Sequence, residues 1–190
     1  MVILAIYDTD DMGVFAQTRI ELGFREPVMK NLDVVPLNVR SVPARQRNQV
    51  IREYIDKTDF IALGVGTYTF MRRWAHFAMV YGFTKNRPML ATNSVNVPDG
   101  WSRDITSGPN PFSRAKWEIV GSHIRLYTLD PLVEVVWKLQ RSIPRNSVHY
   151  RIEGASGLFD EIAPMYDWVY DNVNVNAFSW IEKSIWLAGL

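Results

Sequence analysis

The residues best suited to chemistry in this 190-residue chain stand around one turn, Gly64-Val65-Gly66-Thr67-Tyr68, with Trp74 and Ala78 just beyond it. Glycine lets a backbone approach a ligand closely, and two hydroxyls follow the glycines. Thr67 and Tyr68 therefore have two readings: hydrogen-bonding groups for a ligand, or ordinary turn chemistry. Trp74 and Ala78 are four apart, which puts them on one face of a helix. Trp74 is either a core residue or a wall of a pocket. A second polar group, Asp8-Thr9-Asp10-Asp11, follows the apolar run Val2–Tyr7. A carboxylate there either caps a following helix, by accepting from unpaired backbone amides, or helps to form a ligand crevice.

The elements that must position these groups are read from periodicity. Phe60–Val65 is nearly all apolar, as in a strand covered on both faces. From Met71 the spacing becomes helical, with Met71, Trp74, Ala78 and Tyr81 or Gly82 on one stripe. In an open parallel sheet, ligands bind beyond the carboxyl ends of the strands. The turn and the first two turns of the helix would line that crevice.

Elsewhere, Val2–Tyr7 reads as a buried first strand, and a helix is expected from the aspartates through about Leu22. Residues 23–40 read mostly as loop, with a short strand at Leu32–Leu37. Ser41-Val42-Pro43 opens a helix through Ile51, Tyr54 and Ile55, since proline suits a first helical turn. Further strands are expected at Met89–Thr92, Trp117–Val120 and Ile124–Leu129, with a polar loop over 93–108. Pro131–Leu139 reads as a short helix, and 141–157 shows no clear element. A terminal helix is expected from Trp180, Ile181, Ile185 and Trp186.

Composition narrows the function. The chain is 47% hydrophobic and 22% charged, with a net charge of +1, which suits one ordinary globular domain over 1–190. Arg40, Arg45, Arg47 and Arg52 make no continuous run, so a solvated helix face is expected and no nucleic-acid partner. The absence of cysteine excludes disulfides, thiol catalysis and thiolate metal sites, and fits a reducing cytoplasm. The first apolar run is too short for a signal segment, and no stretch is long enough to span a membrane. His76, His123 and His149 are too scattered for a metal site, and His76 is expected to be exposed beside Arg72 or Arg73. The third glycine of a dinucleotide fingerprint is missing after Gly64 and Gly66, and no G-x-S-x-G occurs.

The turn and helix resemble the TIR-like domain of the Thoeris antiphage proteins. There a G-x-x-T-Y-like turn precedes a helix carrying W-V-x-x-E-I; here the helix reads Trp74-Ala75-His76-Phe77-Ala78-Met79. Pro109-Asn110-Pro111-Phe112 is similar to an N-P-F segment of that family. The tail, with Tyr166-Asp167-Trp168, Asn176, Trp180-Ile181-Glu182 and Ala188-Gly189, is similar to its Y-D-W … N … W-I-E … A-G ending. The resemblance implies an α/β, flavodoxin-like parallel sheet flanked by helices, with a core of about 1–140 and a C-terminal helical extension of about 141–190. It implies NAD as substrate and no cofactor or metal. The activity would be cleavage of the nicotinamide–ribose bond to an ADP-ribose-derived, cyclic signal that activates an effector protein. A phage-protein trigger and homo-oligomeric assembly go with that. Tyr7, Asp8, Asp10, Thr67, Tyr68 and Trp74 would then contact substrate. The family's catalytic glutamate falls on Ala78, which implies a chain inactive as written, by deliberate substitution or natural loss, unless the two helices align in another register. Two other readings stay open: a non-catalytic TIR scaffold or nucleotide-binding module acting by self-assembly, and a flavodoxin-like nucleoside-processing enzyme, against which the tail argues.

Overall fold

A computed structural model describes residues 1–9, 32–93, 108–130, 133, 135–167 and 170–190. The expected 8–22 helix, the role of Asp10, the 93–108 loop and the Trp168 of the tail fall wholly or mainly outside them.

Five parallel strands form the central sheet: β1 (Val2–Tyr7), β2 (Asp33–Asn38), β3 (Phe60–Val65), β4 (Met89–Asn93) and β9 (Met165–Asp167), in the order β2-β1-β3-β4-β9. All their pairings are parallel. This is the α/β, flavodoxin-like arrangement, with the strand order reversing between β1 and β3. Pro36 sits in β2, at the edge of the sheet, where a missing N–H costs no ladder bond on the outer side.

Strand residues alternate strictly between two cores. Leu4, Ile6, Ile61, Leu63, Val65, Met89 and Ala91 face one side. Ile3, Ala5, Tyr7, Phe60, Ala62 and Leu90 face the other. Burial on both faces is why these strands read as unbroken apolar runs. The first side is covered by α1 (Arg47–Lys57) and α2 (Arg73–Thr84). The second is covered by the C-terminal helix α3 (Val173–Leu187), through Ala177, Trp180 and Ile181. Gly82 lets α2 lie close on the sheet: a Cβ there would stand 2.5 Å from Ile61 Cδ1.

An antiparallel sheet adds a further layer. β5 (Ala115–Val120), β6 (His123–Leu129), β7 (Trp137–Pro144) and β8 (Ser156–Leu158) pair in the order β7-β6-β5-β8. Its Trp117, Ile124, Leu126 and Ile143 share the core of α2. Enclosed by two sheets, α2 buries nine of its 12 residues.

Two expectations are corrected here. Trp137–Leu139 is not the end of a helix but the start of β7, paired along β6 from Leu129↔Trp137 onward. Residues 141–157 are ordered by β7, a 3-10 turn at Arg145–Ser147 and β8. Asn86 pins this segment from both ends of its amide: Nδ2 donates to Ser147 O at 2.8 Å, and Oδ1 accepts from His149 N at 2.8 Å. The segment beyond residue 140 also returns to supply β9 to the central sheet.

Candidate functional site

The strand-order reversal places the ends of β1 and β3 side by side, since Ile6 stands opposite Leu63. Tyr7 and Asp8 at one end, and Val65–Gly66 at the other, therefore border the crevice that such a sheet offers a ligand. Tyr7 and Asp8 are buried, at 1% and 3% exposure. Thr67 is half-buried and Tyr68 is exposed.

The turn itself is rigid. Gly66 N donates to Thr69 Oγ1 at 3.0 Å, and Thr69 is fully buried. Gly108 lies directly on this backbone: a Cβ there would meet Gly66 O at 2.4 Å and Thr67 O at 2.7 Å. The segment it opens is held by Asn110, whose Oδ1 accepts from Phe112 N at 3.0 Å. The glycine turn and the Asn110-Pro111-Phe112 segment, 42 residues apart between Gly66 and Gly108, thus form one packed unit. No local pattern marks Gly108, because its neighbour across the contact is distant in the chain.

Tyr68 and Trp74 line one cavity of about 840 Å³ with Arg47, Arg72 and Arg73. Trp74 is 3% exposed within the core, as one reading expected, and its side chain also walls this cavity. Its indole N–H has no acceptor among the described residues. The basic lining went unnoticed in the sequence, although Arg72-Arg73-Trp74 and Arg47 are its signal.

Ala78 lies on α2 four residues beyond Trp74, as expected, but it is fully enclosed. It lines neither this cavity nor the second described below, and packs within the core between the two sheets.

His76 corrects another expectation. It is not exposed but 6% accessible, and its Nε2 lies 2.9 Å from Phe70 O. A carbonyl only accepts, so Nε2 carries the proton. Burial holds the imidazole pKa below its ordinary value, more than the Phe70 carbonyl raises it. The neutral ring keeps Nδ1 as an acceptor.

The tail residues have structural work. Asp167, on β9, accepts from Asn93 Nδ2 at 3.0 Å and from Tyr170 N at 2.9 Å, joining the carboxyl ends of β4 and β9. Tyr166 stacks on Trp180 at 4.4 Å between ring centroids, fixing α3 on the sheet. Among the described residues no group of His, Asp and Glu is placed to hold a metal ion, and no helix is long and apolar enough to cross a membrane. Set against known proteins, the chain matches no family model and no curated sequence.

Proposed function

We propose that the chain is a TIR-like, NAD-recognising protein of a Thoeris-type antiphage system that, as written, does not cleave NAD. The observation that carries this reading is the glycine turn at the carboxyl end of β3, set beside Tyr7 and Asp8 at the end of β1, with Ala78 enclosed on the helix that follows. In the family it resembles, that helix position holds a carboxylate. Breaking the nicotinamide–ribose bond builds positive charge on the ribose, and a carboxylate beside it steadies that charge. A methyl offers neither charge nor a hydrogen bond. Losing one such interaction costs about 3 kcal/mol or more, a factor of roughly 10²–10³ in rate. Tyr7, Asp8, Thr67, Tyr68 and Trp74 would then bind the dinucleotide without turning it over. An active relative would pass an ADP-ribose-derived, cyclic signal to its effector.

The test is nicotinamide release from NAD by Ala78→Glu protein, beside binding of NAD by the unaltered chain. The expected result is saturable NAD binding with no detectable release, and measurable release on restoring the carboxylate. The variant must be run at high concentration as well as low, because TIR-like domains work as assemblies. If folded Ala78→Glu protein releases nothing in either condition, and the parent binds no NAD, the reading fails.

The close packing around Ala78 favours a second reading, a scaffold that acts by self-assembly. Its expected outcome is concentration-dependent sedimentation with no NAD binding at all.

A further inference from the structure

A second cavity, of about 350 Å³, lies between the outer face of α2 and strands β6 and β7, away from the glycine turn. Its wall includes Arg73 and Arg141, and neither guanidinium has a carboxylate partner among the described residues. The carboxylate that lines it, Asp130, is already engaged by Lys138 Nζ. The lining charge is therefore positive, with two donors uncommitted. His76, buried and neutral, lines the same space with Nδ1 unpaired among the described residues. Phe77, Val80 and Leu129 supply apolar wall.

An apolar pocket with a few convergent polar groups is the usual form of a small-molecule site. Two free guanidiniums favour a planar or tetrahedral anion, which arginine binds through paired donors. A volume at the low end of the roughly 300–1,000 Å³ range of such sites suits a mononucleotide better than a dinucleotide. We propose that this cavity binds a small ring-bearing organophosphate of mononucleotide size, with Arg141 and Arg73 on the phosphate. The two cavities adjoin, with Asn48 and Arg73 lining both, but Arg141 and His76 line only this one, and the inference does not rest on NAD recognition at the glycine turn.

Isothermal titration with AMP, adenosine and inorganic phosphate tests it on the full chain. AMP should bind saturably and more tightly than either of the others. Arg141→Gln, at an exposed strand position, should weaken AMP binding about tenfold or more, the usual size of a lost charge-assisted bond. Lys138→Met, which removes a cation from the cavity wall, should also weaken it. Arg47→Gln lines only the larger cavity and should leave AMP binding within about twofold. Melting temperatures near the parent's would show that each variant is folded. The proposal is overturned if AMP does not bind, or if Arg141→Gln binds it unchanged. It is also overturned if Arg47→Gln is the variant that abolishes binding, or if phosphate alone binds as tightly as AMP.

Discussion

At the scale of single residues, His76 couples the fold to pH. Its ring is buried, and burial lowers its pKa below the ordinary 6.5. Below about pH 6.5 the unfolded chain therefore binds a proton that the folded chain refuses. Stability from this group is complete above 6.5 and is lost as the pH falls from there toward the lower folded value. The melting temperature should drop between pH 7.5 and 5.5, and His76→Gln should flatten that slope while keeping a donor for Phe70 O. A variant whose slope matches the parent's would remove His76 from the account. Gly108 carries a different residue-scale prediction. With Gly66 O only 2.4 Å from where a Cβ would stand, Gly108→Ala must push the turn aside, at a cost of about 1–3 kcal/mol. Denaturant unfolding measures the cost, and NAD binding should weaken with it if the turn forms the crevice.

At the scale of elements, α1 and α2 are locked by one polar clamp on their outer edge. The Tyr81 hydroxyl donates to both carboxylate oxygens of Asp56, at 2.9 and 3.0 Å, and Lys85 Nζ lies 2.8 Å from Asp56 Oδ1. The Lys85 hydrogen bond, more than the Tyr81 one, holds the Asp56 carboxyl below its usual range. Arg52 covers the Tyr81 ring from α1, 5.4 Å from its centroid. Asp56 and Lys85 are well exposed, so solvent screens their pairing. Tyr81→Phe should thus cost only about 1 kcal/mol in chemical denaturation, and a loss above about 3 kcal/mol would show that the clamp is not the whole contact. This helix pair was legible in the sequence because both helices carry an apolar stripe of helical period, although α1 opens at Arg47 and not at Ser41-Val42-Pro43, where a 3-10 turn over Val39–Ser41 ends. So were β1, β3 and β4, whose doubly covered faces write unbroken apolar runs. β7 was not. The run Pro131–Leu139 passes for a short helix by its apolar residues, yet Val135 is 84% exposed and Leu139 55%. What makes Trp137–Pro144 a strand is pairing with β6 at long range, which overrides local period. The same limit hid the contact of Gly108 with the turn, and the burial of His76 beneath Phe70 O.

At the scale of the whole molecule, the chain closes on itself rather than ending in an appendage. β9 pairs with β4 through Ala91↔Met165, Thr92↔Tyr166 and Asn93↔Asp167. α3 then seals the second face of the sheet, where Ala177, Trp180 and Ile181 pack with Ile3, Ala5, Phe60, Ala62 and Leu90. A chain cut after Pro164 would lose both at once. The apolar residues it exposed would be contiguous, and the edge of β4 would be left open to pairing with other chains. Such a chain should not fold as a shorter α/β core; the expected product is insoluble, or compact without fixed packing. Trp180→Ala separates packing from strand pairing, because it keeps β9 and removes the ring stacked on Tyr166. It should cost about 3–5 kcal/mol, as truncation of a buried aromatic does. A truncated chain that unfolds cooperatively with the parent's midpoint would mean that β9 and α3 are additions to a fold complete without them.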